Sequence, residues 1–225
     1  MTVFIHSVRP SNNGSELAVT LEMSEPSNNV SSDIRVRGRH IKSNRRVLHV
    51  LASDWTCLMS VRGEIDEELL DKLENADRYC TAVRVGMRIL AYGANSQNAL
   101  YRKLIHKGCD AESSQKAAEY LCGCGFVDEY DDACRVAERD LKKFYGKRRI
   151  LSNIHAKGYG TEVVSYVSDF LGDVDFVGLC AELISKKYRE IPLDAHERQK
   201  MCAALVRYGY SPSEIREAIL KISEA

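Results

Sequence analysis

The spacing of apolar positions divides the chain into two parts. Over roughly the first 62 residues, four short β-prone segments alternate partly between apolar and polar positions. They read VFIHSV, LAVTLEM, IRVRG and VLHVL, and stretches rich in Ser, Asn and Pro separate them. The pattern predicts a small β-rich unit over residues 1–65, with a flexible loop near 24–33.

From about residue 66 onward, the apolar spacing becomes helical. Apolar residues from Ala76 to Leu90 recur at steps of three and four, which places them on one face of a helix. The remainder of the chain reads as helices and short turns. The sequence therefore predicts a mainly α protein preceded by a small β-rich N-terminal unit.

The helical part contains an internal repeat. Three segments align on Gly108, Gly158 and Gly209, which are 50 and 51 residues apart. Apolar residues recur eight and four positions before each glycine and thirteen positions after it. Two positions after each glycine stand residues that can cap a helix N-terminus: Asp110, Gly160 and Ser211. Because glycine adopts the left-handed turn that ends a helix, each copy predicts a helix, a turn and a second helix.

A third helix fills the rest of each period, near 74–92, 127–144 and 174–188. A period of about 50 residues is typical of tandem repeats that bury their apolar faces against one another. The sequence thus predicts an elongated array of three three-helix repeats. The predicted boundaries are 66–125 for an acidic linker helix and repeat 1, 126–173 for repeat 2, and 174–225 for repeat 3.

Composition narrows the range of functions. Of 225 residues, 44% are hydrophobic and 28% charged, and 32 basic residues balance 32 acidic ones. This balance argues against a protein that coats DNA, although it leaves room for a local basic patch. We expect no membrane span and no signal peptide, because the apolar runs are only a few residues long. Eight cysteines at spacings unlike a disulfide framework favour a cytoplasmic protein with reduced thiols.

Motifs for enzyme chemistry are missing from the sequence. We find no GxxxxGK[ST] phosphate loop, no strand-linked GxGxxG and no HExxH. The sharpest enzyme-like feature is a set of four cysteines that could bind a metal: Cys109, Cys122, Cys124 and Cys134. Their spacing does not follow the paired CxxC pattern of structural zinc sites, which favours small buried thiols instead. We therefore expect no catalytic residue, no cofactor and no metal.

Two basic clusters are candidates for binding an anionic partner. The first, RVRGRHIKSNRR, supplies the candidate nucleic-acid contacts Arg35, Arg37, Arg39, Arg45 and Arg46. The second, KKFYGKRR, covers residues 142–149. The alternative for both is a solvated basic surface, because charge runs usually face water.

The helical part resembles a known family, the RecX regulators of the RecA recombinase. The resemblance covers about residues 74–225 and rests on GFVDEYDDA, GKRRI followed by IHAKG, and RYGYS, in that order. Residues 45–73 resemble the β-hairpin lead-in of longer members, which implies strand, turn, strand and acidic helix. Trp55 lies beside this predicted hairpin turn, and we expect it to be a packing anchor of the β unit rather than a stacking platform. One departure is NSQNAL, where Ser96 can cap a helix but no acid stands three positions later.

The resemblance implies a function in homologous recombination, DNA repair and the SOS response. A RecX-like arm lies in the groove of the RecA filament on single-stranded DNA, where it limits filament growth, ATP hydrolysis, strand exchange and co-protease activity. We expect such a protein to be a monomer. Our candidate partner-binding residues are Arg102, Lys103, Lys107, Lys147, Arg148, Arg149 and Lys157. Direct binding of single-stranded nucleic acid and a thiol or metal enzyme are the alternatives.

Overall fold

The computed structural model describes residues 2–11, 14–24, 45–58, 63–188, 191 and 194–224. Within these residues the fold is mainly helical, with a small antiparallel sheet at the N-terminal end, as predicted. The predicted loop near 24–33 and the predicted strand IRVRG lie, apart from Ser24, outside the described residues.

Among the described residues, the N-terminal sheet has four strands. They are β1 Thr2–Pro10, β2 Glu16–Ser24, β3 Arg45–Leu51 and β4 Gly63–Ile65, in the spatial order β3-β2-β1-β4. Strand β1 pairs antiparallel with both β2 and β4, and β2 pairs antiparallel with β3. The alternation that predicted these strands also builds the core, because Val19, Leu21, Leu48 and Val50 are completely buried.

The predicted hairpin between the third and fourth strands is wrong. A helix, α1 (Ala52–Leu58), follows β3 directly, and Trp55 lies in it rather than beside a turn. Strands β3 and β4 occupy opposite edges of the sheet, so a tight hairpin turn cannot join them. The predicted packing role of Trp55 is confirmed, since its half-buried side chain packs against the sheet core.

Nine further helices follow the sheet among the described residues. They are α2 Glu67–Ala91, α3 Gln97–His106, α4 Ala111–Gly123, α5 Glu129–Leu141, α6 Lys147–Ala156, α7 Thr161–Phe170, α8 Phe176–Tyr188, α9 Ala195–Tyr208 and α10 Pro212–Ser223. We refer to α2–α4, α5–α7 and α8–α10 as repeats 1, 2 and 3. The predicted acidic linker helix and the helix near 74–92 are one continuous helix, α2, of 25 residues.

The turn of each repeat matches its prediction. Gly108, Gly158 and Gly209 have φ angles of 89°, 89° and 99°, in the left-handed region that glycine tolerates. The helix after each turn begins at the predicted position. Asp110 accepts a hydrogen bond from the Ser113 nitrogen, and Ser211 forms a full capping box with Glu214.

The described residues form two compact units, one within 1–91 and 101–121 and the other within 92–100 and 122–225. In the second unit, helices α5 to α10 share one hydrophobic core, which includes Ile150, Ile154, Met201 and Leu205. The helices of repeat 1 are divided between the two units. The three-repeat boundaries given above therefore stay a proposal.

Candidate partner-binding surface

The second unit contains a close joint between the start of α6 and the end of α9. The Gly146 nitrogen donates a hydrogen bond to the Tyr208 carbonyl at 2.8 Å, and Arg149 Nη1 donates to the Arg207 carbonyl at 3.1 Å. A Cβ atom on Gly146 would lie 2.5 Å from the Gly209 carbonyl carbon. The two backbones meet so closely that only glycine fits at this point.

An equivalent joint links the start of α3 to the end of α6. Ser96 Oγ donates to the Lys157 carbonyl at 3.0 Å, and Asn98 Nδ2 donates to the Gly158 carbonyl at 3.1 Å. Ser96 precedes Gly146 by 50 positions, and Gly158 precedes Gly209 by 51. The period of the sequence is therefore also the period of a contact, in which a helix start meets the glycine turn one repeat later.

The N-terminus of α3 shows how the chain manages without an acid three positions after the cap residue Ser96. Ser96 Oγ accepts a hydrogen bond from the Ala99 nitrogen at 3.1 Å, which confirms Ser96 as the cap. The Gln97 nitrogen instead donates to Glu129 Oε1 of α5 at 2.6 Å. An acid from the neighbouring helix thus accepts from a free nitrogen in the first turn of α3.

Cationic and aromatic side chains alternate beside the joint between α6 and α9. The Arg149 guanidinium lies 4.0 Å from the centre of the Tyr145 ring and 5.7 Å from that of Tyr208. These two rings meet edge to face at 5.8 Å. Lys143 lies over Tyr145, and Lys187 lies 5.0 Å from the centre of Tyr208. Each contact is a cation–π interaction, which favours the position of both groups.

A further pair extends this group, in which Lys186 of α8 lies 4.3 Å from the centre of the Phe144 ring. We call the whole set the basic–aromatic cluster; it comprises Lys143, Phe144, Tyr145, Arg149, Lys186, Lys187 and Tyr208. The three lysines are exposed while the rings are half-buried. The cluster can therefore offer positive charge to a polyanion, but its rings already contact cations.

A buried aspartate stabilises the turn beneath this cluster. Asp140 is only 5% exposed; its carboxylate accepts hydrogen bonds from Asn153 Nδ2 at 2.8 Å and from Lys143 Nζ at 2.9 Å. Burial by itself raises the pKa of Asp140, but these two hydrogen bonds and the charges of Lys143 and Lys157 together hold it below its ordinary value. Asp140 therefore remains charged and fixes the end of α5 against α6.

The predicted partner-binding residues fall into two groups. Three are exposed at the end of α3 in the first unit: Arg102, Lys103 and Lys107. Four lie on α6 or at its end in the second unit: Lys147, Arg148, Arg149 and Lys157. Arg148 and Lys157 are exposed, whereas Arg149 is half-buried and engaged with its own chain. We therefore assign Arg149 to the contact between α6 and α9 and keep the exposed cations around it as candidates for binding a partner.

The predicted nucleic-acid contacts are only partly described. Arg45 and Arg46 are exposed at the start of β3 and form ion pairs with Glu22 and Glu74. Their charge is therefore partly balanced within the fold. Three others, Arg35, Arg37 and Arg39, lie outside the described residues.

Sequence reasoning missed three exposed cations that the fold brings near the KKFYGKRR segment: Lys186, Lys187 and Arg207. A signal for two of them was present, because a Lys-Lys pair ends or follows the first helix of both repeat 2 and repeat 3. No comparable signal marks Arg207, whose carbonyl accepts a hydrogen bond from Arg149 only because the end of α9 contacts the start of α6.

The cysteines do not form an evident reactive site. Burial raises the pKa of Cys109, Cys122 and Cys134, and it raises that of Cys180 to about 12. These thiols are therefore protonated at neutral pH. In the described part of the chain, no group of three or more His, Cys, Asp or Glu side chains is arranged to hold a metal ion. None of the helices described is long and apolar enough to cross a bilayer.

Known proteins resemble this chain in sequence. A family model described as RecX, third three-helix domain, matches residues 173–219. The regulatory protein RecX of Xanthomonas campestris pv. campestris (strain B100) is 29% identical over 140 residues, which cover 61% of this chain and 85% of that protein. Its counterpart from Pelodictyon phaeoclathratiforme (strain DSM 5477 / BU-1) is 28% identical over 142 residues, with 61% and 86% covered.

Solved structures resemble it in fold. A crystal structure of regulatory protein RecX has a TM-score of 0.68 at 17% identity, and the match covers 96% of this chain and 99% of that one. A crystal structure of RecX from Lactobacillus salivarius has a TM-score of 0.57 at 16% identity, with 67% and 99% covered.

Three-helix groups with glycine turns, joined at repeated positions and preceded by a small sheet, define a helical-repeat protein. A RecX family model matches the last repeat, and proteins named regulatory protein RecX are similar to this chain in sequence and in fold.

Proposed function

We propose that this protein is a non-enzymatic regulator of the RecA recombinase that acts in the cytoplasm. It binds in the groove of the RecA filament on single-stranded DNA and limits filament growth, ATP hydrolysis, strand exchange and co-protease activity. The relatives are named regulatory protein RecX, which supports the regulatory role. Weak contacts from successive repeats add through their high effective concentration once the first contact forms.

The observation that carries the proposal is the position of the exposed cations. Arg102 and Arg148 project from α3 and α6, the equivalent middle helices of repeats 1 and 2, and both are exposed. Neither forms an ion pair with any carboxylate in the described ranges. Arg102 stands six positions before Gly108 and Arg148 ten before Gly158, so equivalent helices carry the two cations at different positions. Unpaired cations on successive repeats suit a partner that is itself a repeating polymer with anionic groups.

A charge reversal tests this proposal. The Arg102→Glu/Arg148→Glu variant should inhibit the single-strand-dependent ATPase of RecA at least tenfold less strongly than the wild type. The control variant Arg88→Glu/Arg216→Glu changes the net charge equally, also at one exposed arginine in each compact unit. It should inhibit within twofold of the wild type. No inhibition by the wild type at stoichiometric excess would contradict the proposal itself.

Direct binding of single-stranded nucleic acid is the second candidate, and the basic–aromatic cluster is the observation that favours it. Cations interleaved with aromatic rings are typical of surfaces that follow a phosphate backbone. Binding of a fluorescent oligothymidine should then weaken steeply with salt concentration, because cations displace counterions from phosphates. Tight, salt-dependent binding with no effect on RecA would favour this second function over the first.

A further inference from the structure

Repeat 2 exposes aromatic side chains that its own core does not use. Tyr130 of α5 and Tyr166 and Phe170 of α7 are 45%, 51% and 45% exposed. The Tyr130 and Tyr166 rings meet edge to face, with centres 5.1 Å apart and planes at 87°. Tyr166 and Phe170 are four positions apart and share a helix face. We call these three residues the aromatic patch.

The core of the repeat is complete without this patch. Helix α5 buries Ala133 and Val136, and α7 buries Val163 and Val167, all at 5% exposure or less. Large apolar side chains that stay together on a surface forgo the favourable free energy of removal from water. In soluble proteins such clusters commonly mark a site of interaction. Tyrosine is also enriched in the well-packed centres of protein interfaces.

The same position is aromatic in repeat 1. Phe170 stands twelve positions after Gly158, and Tyr120 stands twelve positions after Gly108. Tyr120 is 41% exposed and meets Tyr79 of α2 edge to face at 6.2 Å, beside an open cavity of about 600 Å³. In each of these repeats an aromatic pair also links the first helix to the third, although the paired ring of the third helix is Tyr120 in repeat 1 and Tyr166, four positions before Phe170, in repeat 2.

Repeat 3 differs at this position. Lys221 stands twelve positions after Gly209, and its Nζ lies 3.4 Å from Asp175 Oδ2, just before α8. A lysine that pairs with Asp175 thus stands where repeats 1 and 2 carry an exposed ring. The fold itself does not require an exposed ring there, which makes the rings of repeats 1 and 2 candidates for a binding role.

The rim of the aromatic patch is acidic. Glu162 and Asp169 lie four positions before and three positions after Tyr166 on α7, and both are exposed. Neither pairs with a cation among the residues that the structure describes. A ligand that covers the rings must approach these two carboxylates, so a basic segment is favoured over an acidic one.

The aromatic patch is also distinct from the basic–aromatic cluster. Tyr130 lies at the start of α5, whereas Phe144 and Tyr145 follow its end. A helix of this length spans roughly 20 Å, so the two surfaces lie at opposite ends of α5. Their opposite charge makes one anionic ligand for both surfaces unfavourable.

We propose that the aromatic patch docks a basic, apolar segment of a RecA subunit, in addition to the contact made by the exposed cations. This inference rests on the proposed binding to the RecA filament. The aromatic rings receive the apolar side chains of the segment, and Glu162 and Asp169 pair with its cations. A polymer of identical subunits offers the same segment many times, which suits a protein that repeats its own aromatic pair.

Cosedimentation of the full-length protein with RecA filaments on polydeoxythymidine tests the inference. The Tyr166→Ser/Phe170→Ser variant should bind at least tenfold more weakly than the wild type. The control, Val206→Ser/Leu220→Ser, removes side chains that are 47% and 57% exposed on other helices and should bind within twofold. Circular dichroism checks that each variant is folded. If the double variant is not, Phe170→Lys, which copies the equivalent residue of repeat 3, should show at least fivefold weaker binding.

A second pair of variants tests the charge of the partner. Glu162→Lys/Asp169→Lys should weaken binding at least fivefold, whereas Glu217→Lys/Glu224→Lys, with the same net charge, should not. If the wild type sediments with filaments but the aromatic variants sediment equally well, the docking site is wrong while the proposed function stands. If only the acidic variants bind normally, the basic partner is wrong. If the wild type fails to sediment, both proposals fail together.

Discussion

The Gly146 nitrogen donates a 2.8 Å hydrogen bond to the carbonyl oxygen of Tyr208, across 62 positions of sequence. This bond joins the start of the middle helix of repeat 2 to the turn of repeat 3. At the equivalent place one repeat earlier, Ser96 reaches the Lys157 carbonyl with its side chain. The two joints use different donor groups at equivalent positions, so the repeat preserves the geometry of the contact rather than its chemistry.

The first prediction concerns the space at Gly146. Gly146→Ala should lower the free energy of unfolding by about 1–3 kcal/mol, because its Cβ would overlap the Gly209 backbone and force the helices apart. Chemical denaturation followed by circular dichroism measures the change. Gly146 has φ −73° and ψ 161°, angles that alanine adopts easily, so backbone strain would not contribute.

Gly160 provides the matched control for this substitution. It also precedes a helix, with φ −68° and ψ 164°, but an added Cβ would meet no atom within 4 Å. Gly160→Ala should therefore change the free energy of unfolding by less than about 0.5 kcal/mol. Equal losses in the two variants would show that the joint between α6 and α9 is not close-packed.

The second prediction concerns the equivalent joint at Ser96. Ser96→Ala should cost about 1–2 kcal/mol of unfolding free energy, because the buried hydroxyl both caps α3 and donates to Lys157. Thermal and urea unfolding of the wild type and the variant measure this loss of unfolding free energy. The control is Ser152→Ala, at an exposed position on α6, and it should be nearly neutral. A neutral Ser96→Ala variant would contradict the role of this side chain.

These joints show how far the sequence could predict the fold. The glycines at 108, 158 and 209 gave the helix, turn and helix of each copy, because glycine and capping residues act locally. The contact between one turn and the preceding repeat depends on tertiary packing. No local pattern at Gly146 distinguishes it from Gly160, although one is enclosed and the other is open.

The incorrect prediction of a hairpin turn beside Trp55 has a similar cause. The apolar run that ends at Leu51 and the short strand at 63–65 look like neighbours because they are close in sequence. The sheet order is set by pairing with β1 and β2, which local spacing does not encode. Among the candidate contacts, the sequence located the basic residues of α6 but could not tell the engaged Arg149 from the exposed Arg148.

The third prediction separates these two arginines. Arg149→Ala should lower the free energy of unfolding by about 1–2 kcal/mol, because it removes the cation–π contact with Tyr145 and the hydrogen bond that joins α6 to α9. Arg148→Ala should change it by less than about 0.5 kcal/mol. Urea denaturation of the purified variants provides the comparison. If Arg148→Ala were the more destabilising, the assignment of Arg149 to the joint would be wrong.

The fourth prediction concerns the pH dependence of stability at Asp140. Its pKa is lower in the folded protein than in the unfolded chain, so its carboxylate stabilises the fold above the ordinary aspartate pKa of about 3.9. That contribution is lost as the pH falls from about 4 through the folded pKa. Asp140→Asn should be less stable than the wild type by about 1.5–3 kcal/mol at pH 7, because it loses charge-assisted hydrogen bonds.

The difference in free energy of unfolding between the wild type and Asp140→Asn should become smaller below about pH 4. Protonation then removes from the wild type the same charge that the substitution removes. Urea unfolding at several pH values from 3 to 7 measures this convergence. Asp173→Asn is the control, because Asp173 is exposed and makes no side-chain hydrogen bond within the described ranges; its stability should follow that of the wild type throughout. If the wild type and Asp140→Asn differed in free energy of unfolding as much at pH 3 as at pH 7, Asp140 would stabilise the turn through its shape rather than its charge.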